Sequence, residues 1–198
     1  MKFTDFNLKD TIQAAVTDAG FTEPSPVQKD AIPLVLEGHD MIAQAQTGTG
    51  KTAAFGLPMM SMMKADGSVE GLVIVPTREL AMQVSDELYR FGQKSGLKTA
   101  TVYGGTAYGK QIDRIKQASI VVATPGRLQD LLMSGKIKMN PQFVVLDEAD
   151  EMLDMGFLDE IKNIFTFLPK ERQTLMFSAT MPNSIRKLAE QILKNPKT

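Results

Sequence analysis

The sequence has no cysteine, no tryptophan and a single histidine, His39, among 198 residues. Disulfide scaffolding, thiol nucleophiles, cysteine-ligated zinc and any multi-histidine metal site are thereby excluded. Chemistry must come from carboxylates, lysine, hydroxyls or the backbone. No apolar run is long enough to span a bilayer, and the opening MKFTDFNLKD lacks the apolar segment of a secretion signal. The expectation is a cytoplasmic protein without membrane association. A cationic excess is also missing: 22 Lys and Arg stand against 23 Asp and Glu, a net charge of -1. No broad phosphate-attracting field surrounds such a chain, so any nucleic-acid contact has to be a local strip.

What the sequence does have is core material, 43% hydrophobic residues, with 15 Gly and 10 Pro in no repeat. Short apolar, β-branched runs alternate with segments of helical periodicity, the pattern of βα units building a parallel sheet. Strands are predicted at 41–43, 71–75, 99–103, 120–123, 143–146 and 174–177, and helices at 8–19, 26–36, 53–63 and 78–91. In the last of these, Leu80, Ala81, Val84, Leu88 and Phe91 share a face, with Thr77 as N-cap and Gly92 as stop. The fold class is therefore α/β, a mainly parallel sheet flanked by helices on both faces. Residues 1–198 read as a single domain, 1–36 a helical preface and 37–198 the core. Ligands of such sheets sit at the carboxyl ends of the strands. The methionines, including Met59, Met60, Met62, Met63, Met152 and Met155, read as core filler. His39 is assigned no role, and Arg90, Arg114, Arg172 and Arg186 read as solvated.

After the first strand comes Ala45-Gln46-Thr47-Gly48-Thr49-Gly50-Lys51-Thr52 and then a helix. Glycines let successive N–H groups converge on phosphate oxygens, Lys51 can reach the β and γ phosphates, and the Thr52 hydroxyl can ligate magnesium. The usual pattern opens with glycine where this chain has Ala45, so a plain glycine-rich turn is the alternative. The strand at 143–146 runs into Asp147-Glu148-Ala149-Asp150. An apolar strand ending in aspartate can hold Mg2+ beside a phosphate loop, directly or through water, while Glu148 orients an attacking water. The competing account is a solvated acidic turn at a helix start.

In those residues the chain resembles the N-terminal RecA-like lobe, a P-loop domain, of a bacterial-type DEAD-box ATP-dependent RNA helicase. Gly20-Phe21-Thr22-Glu23-Pro24-Ser25-Pro26-Val27-Gln28, with Phe3 upstream, is similar to that family's Q motif, which recognises adenine. Residues 45–52 resemble its motif I, which commonly opens with alanine. Pro76-Thr77-Arg78-Glu79-Leu80-Ala81, Gly104-Gly105 and Thr124-Pro125-Gly126-Arg127 resemble the elements that line single-stranded RNA. Asp147 to Asp150 spells the name motif, and Ser178-Ala179-Thr180 resembles the element coupling nucleotide state to unwinding, through hydroxyls that can bond Asp150. The resemblance implies ATP and Mg2+ as cofactors, and an RNA partner, single-stranded or duplex. It also implies a second RecA-like lobe that this chain lacks, carrying arginines for the γ-phosphate, so the isolated lobe is expected to be nearly inactive.

The motifs have readings without the family as well. A Gln28 amide suits the N6 and N7 edge of adenine, or is a surface helix residue. Thr77, Thr124 and Pro125 are what helix initiation alone selects, but Arg78 and Arg127 are not, and helix N-termini with arginine seat phosphates without reading bases. Gly104-Gly105 is a site of close backbone approach or a tight turn, and Thr180 alternatively caps the helix after Pro182. RNA binding is therefore expected to be sequence-independent. Two rivals stay open: a DNA-acting or general P-loop ATPase, and an RNA-remodelling scaffold that needs no hydrolysis.

Overall fold

Strands buried on both faces need apolar residues at every position, and the short runs supply them. The computed structural model describes residues 1–46 and 48–198. Its strands are β1 Met41–Gln44, β2 Gly71–Ile74, β3 Thr99–Val102, β4 Ile120–Ala123, β5 Phe143–Leu146 and β6 Gln173–Ser178. They form one sheet in the order β1-β6-β5-β2-β4-β3, and each neighbouring pair is parallel. The inner strands β2, β4, β5 and β6 are buried throughout, whereas the edges β1 and β3 are partly open.

Alternate strand residues feed two cores. Val73, Val75, Val122, Val145 and Phe177 face α1 Asp10–Asp18, α2 Pro26–Leu36, α3 Lys51–Met62 and α4 Arg78–Gly92. Leu72, Ile74, Val121, Val144 and Met176 face α5 Tyr108–Gln117, α6 Pro125–Met133, α7 Ala149–Asp154, α8 Leu158–Thr166 and α9 Asn183–Ile192. The N-terminal helices share the first core, with Ile12 and Ile32 fully buried against it.

The local signal holds at the start of α4. Thr77 Oγ1 accepts from the Leu80 amide at 3.1 Å, as an N-cap should. Gly92, expected to stop α4, does not: it is the last helical residue, at φ -98, and the chain tightens into a 3-10 turn until Gly96 at φ 75 reverses it. Space at 92 is tight, because a Cβ there would lie 3.0 Å from Met60 Sδ and 3.2 Å from Leu97 Cβ. α3 begins at Lys51, two residues before its expected start, which sets Lys51 and Thr52 in its first turn.

Two further expectations fail. Arg172 is not solvated: its guanidinium donates to Thr174 Oγ1, the Pro169 carbonyl and the Ile192 carbonyl at 2.9–3.0 Å and lies over the Phe165 ring. Met155 is exposed, while Met59, Met60, Met63 and Met152 do fill the core.

Candidate functional site

Parallel pairing points all six strands the same way, so the singled-out segments gather at one edge. Each follows a strand: 45–52 follows β1, Ser178 ends β6, Asp147 follows β5, Pro76 follows β2 after Val75, Thr124 follows β4, and Gly104 follows β3 after Tyr103. The strand order divides them further. Phosphate-loop, hydroxyl and carboxylate segments occupy the β1-β6-β5 end, and the arginine and glycine segments the β2-β4-β3 end.

At the first end Gly48 and Gly50 adopt φ 86 and 81, left-handed values that turn the loop into α3. Thr47 lies outside the described residues. Ala45 is buried, and its amide donates to the Ser178 carbonyl at 3.0 Å. Thr49 Oγ1 donates to the Gln46 carbonyl at 2.7 Å, and the Thr49 carbonyl accepts from Ser25 Oγ at 2.8 Å. Gln28 is buried with both ends of its amide engaged. Oε1 accepts from the Ser25 amide at 2.9 Å, and Nε2 donates to the Gly50 carbonyl at 3.0 Å. Ser25 and Gln28 thus form a capping box at the start of α2, and Gln28 also ties that helix to the loop. The S-x-x-Q spacing signalled the box, and the sequence reading passed over it. Of the two aromatics, Phe3 is 2% exposed and stacks on half-buried Phe21, with ring centroids 5.9 Å apart, so it supports Phe21 from behind.

Lys51, buried on the first turn of α3, places Nζ 2.9 Å from Asp147 Oδ1 and donates to Glu148 Oε2 at 3.1 Å. The Asp147 approach pairs charges without hydrogen-bond alignment, so both fully buried Asp147 oxygens lack a hydrogen-bond donor. Burial raises the Asp147 carboxyl above its ordinary pKa, and the neighbouring Lys51 opposes this without cancelling it. An unsatisfied buried carboxylate beside the first turn of α3, which carries Lys51 and Thr52, is a fitting seat for a hard cation. No group of three or more His, Cys, Asp or Glu could hold a metal among the described residues.

Glu148 adopts φ 56 and ψ 52, a left-handed conformation costly for a side-chain-bearing residue. With Ala45, Gln46, Lys51, Asp150, Glu151 and Ala179 it lines a cleft of about 310 Å³. A larger hollow, about 1310 Å³, lies between α2, β1 and the start of α9, and shares Ala45 and Gln46 with that cleft. Asp150 Oδ2 accepts from the Thr180 amide at 3.1 Å and the Thr180 hydroxyl at 2.9 Å. Burial works to raise the Asp150 pKa, but hydrogen bonds, those from Thr180 foremost, outweigh it and leave the carboxyl below its ordinary value. Ser178 is buried and donates to the Thr180 carbonyl at 2.7 Å. Pro182, not Thr180, is the N-cap of α9. Half-buried Glu87 on α4 is a carboxylate the sequence reading missed: burial raises its pKa, and the nearby Asp147 charge adds to the effect. No motif marks it, because only the packing of α4 on α3 brings it there.

At the second end Pro76 is buried, Thr77 caps α4 and Arg78 is exposed, with its guanidinium 4.6 Å from the Tyr103 ring centroid. Thr124 precedes α6 without capping it through its side chain, Pro125 is the first helical residue, and Gly126 is half-exposed. Gly104 and Gly105 are exposed, and Gly105 at φ 86 makes the turn. No atom comes within 4 Å of the position of a Cβ at Gly104, which leaves room for close approach. Arg127 Nη1 donates to the Thr106 carbonyl at 2.9 Å and to Gln111 Oε1 at 3.1 Å.

Comparison with known proteins places this geometry. The chain is 56% identical over 196 residues to the DEAD-box ATP-dependent RNA helicase RhpA of Helicobacter pylori, covering 98% of this chain and 40% of that protein. To the DEAD-box ATP-dependent RNA helicase CshA of Streptococcus pneumoniae it is 51% identical, covering 99% of this chain and 38% of that protein. A crystal structure of a DEAD box protein from the hyperthermophile Methanococcus jannaschii superposes with a TM-score of 0.96 at 40% identity, covering 100% of this chain and 55% of that one. The chain thus spans about two fifths of the length of the curated relatives it matches. The model of the DEAD/DEAH box helicase family matches residues 25–188, most of the chain and every segment gathered at the carboxyl edge, and the chain belongs to that family.

Proposed function

We propose that the chain is the nucleotide- and RNA-binding lobe of an ATP-dependent RNA helicase of the cytoplasm. The observation that carries the reading is the division of the carboxyl edge. The buried lysine, hydroxyls and carboxylates lie at the β1-β6-β5 end, and the carboxylate-free arginines lie at the β2-β4-β3 end of the same sheet. Two ligands can then bind side by side and communicate through one rigid support.

At the nucleotide end, Lys51 leaves its two carboxylates to meet the β and γ phosphates, and the loop amides from Gly48 to Thr52 converge on phosphate oxygens. Thr52 and Asp147 would hold Mg2+, which when bound neutralises charge developing on the phosphates. Glu148, freed from Lys51, accepts a proton from the attacking water. Phe21 and Gln28 select adenine, Gln28 through the amide valences that Ser25 and Gly50 leave unused. At the other end, Arg78, Arg127, Thr77, Thr124 and the glycine turn hold RNA phosphates and sugars without reading bases, so binding is independent of sequence. Asp150, Thr180 and Ser178 link the carboxylate loop to the end of β6 and carry the coupling between states.

The relatives are longer than this chain, and a second RecA-like lobe is proposed to supply the γ-phosphate arginines. Without such an arginine, phosphoryl transfer loses roughly 10³–10⁵ in rate, so the 198-residue chain binds nucleotide but barely turns it over. Calorimetric titration with Mg-ADP and Mg-GDP tests the nucleotide half. ADP should bind more tightly than GDP, lose affinity in Lys51→Ala and lose its base preference in Gln28→Ala. Equal ADP and GDP binding by the parent chain would favour a general P-loop ATPase instead.

A further inference from the structure

The arginines of the β2-β4-β3 end are held in an unusual way for a chain with more acids than bases. Arg127 places its guanidinium 4.3 Å from the ring centroid of Tyr108, and its two side-chain hydrogen bonds go to neutral acceptors, the Thr106 carbonyl and Gln111 Oε1. Gln111 is buried and fixed in turn, its Nε2 donating to the Tyr103 carbonyl at 2.8 Å. Arg78 repeats the device on Tyr103. A second cation shares the Tyr108 ring: Lys136, exposed in the turn after α6, lies with Nζ 5.3 Å from its centroid. Neither Arg127, Lys136 nor Arg78 takes part in an ion pair among the described residues.

Two cations gathered on one exposed ring repel each other, and among the described residues no carboxylate pairs with either within 4.0 Å. The neutral acceptors fix direction while leaving the charge uncompensated, which is the state a phosphate-binding group needs before its ligand arrives. Resting on the RNA reading above, we propose that Lys136 is a further phosphate contact of the RNA strip. In this proposal Tyr108 is a positioning residue that gathers Arg127 and Lys136 around one phosphate position. The strip then runs past Gly126 and Arg127 to the turn at Lys136, outside every segment singled out from the sequence.

The test is fluorescence anisotropy of a labelled oligouridylate with the 198-residue chain, repeated from about 50 to 200 mM salt. Lys136→Gln should flatten the slope of log K against log salt by about 0.7, the value of one single-strand phosphate contact, and Lys136→Arg should restore it. Tyr108→Leu should weaken binding about two- to fivefold, and Tyr108→Phe, which keeps the ring face, should not. An unchanged slope in Lys136→Gln, or a Tyr108→Phe loss equal to that of Tyr108→Leu, overturns the proposal. Arg127→Ala separates the two levels of claim. If it leaves RNA affinity unchanged, the RNA strip itself fails and the proposal with it; if it weakens binding while Lys136 and Tyr108 variants do not, only the extension fails. A far-ultraviolet melting curve on each variant excludes misfolding as the cause.

Discussion

Gly50→Ala probes the join between the adenine-recognition segment and the phosphate loop. A Cβ at this position would lie 2.4 Å from Gln28 Nε2, 3.2 Å from Gln28 Cδ and 3.3 Å from Ser25 Oγ, and it would sit on a backbone at φ 81. The left-handed conformation alone costs alanine about 1–2 kcal/mol. Expelling Nε2 from the Gly50 carbonyl leaves a buried amide and carbonyl unpaired, about 1–3 kcal/mol more. The variant should therefore lose about 2–5 kcal/mol, a large share of the roughly 5–15 kcal/mol of a typical domain. In a Gln28→Ala background the clash and the hydrogen bond are both gone, and only the backbone cost of about 1–2 kcal/mol should remain. Urea denaturation of the parent, both single variants and the double variant gives the coupling, expected to exceed about 1 kcal/mol. Additivity within about 0.5 kcal/mol would refute the link between Gln28 and the loop. Mg-ADP affinity should fall with Gly50→Ala and should not fall much further in the double variant.

Other outcomes follow from the same geometry. Because Glu148 holds a left-handed conformation, Glu148→Gly should be more stable than Glu148→Ala by about 1 kcal/mol in denaturant titration, and the opposite order would remove the strain argument. The folded-state pKa of Asp150 is depressed, so its ionised form adds stability that is present above the ordinary value of 3.8 and lost as pH falls through the lowered one. Asp150→Asn should therefore melt below the parent at neutral pH, with the difference closing on acidification below that value; a constant difference would contradict it. Arg172→Ala removes three hydrogen bonds, to Thr174 in β6, to the Pro169 carbonyl and to the Ile192 carbonyl at the end of α9, and should cost about 1–3 kcal/mol, whereas a truly solvated arginine would cost almost nothing.

Much of this site is local in sequence, which is why it was legible there. Each segment is an apolar strand followed directly by its loop, so the run at 143–146 already carries Asp147 to the sheet edge. The parallel arrangement then gathers all of them together. What could not be read is what depends on packing between distant residues. Arg172 looks like any surface arginine until α9 brings the Ile192 carbonyl to it, and Glu87 is an ordinary helix glutamate until α4 lies on α3. The division of the edge into two ends comes from the crossing of the chain from β1 to β2 past the positions that β5 and β6 later fill. Short-range spacing contains no record of that crossing. Gln28 falls between: its residue type and spacing were visible, but its bond to Gly50 spans 22 positions and appears only in the fold.

The central claim is that one sheet edge carries two separate ligand sites. Hydrogen–deuterium exchange of this chain, measured alone, with Mg-ADP and with oligouridylate, tests it most directly. The account predicts that Mg-ADP slows exchange in peptides spanning 48–52 and 147–150, and that RNA slows it in those spanning 76–78, 103–108 and 124–127. Protection of one and the same set of peptides by both ligands, with the other set unaffected by either, would contradict it.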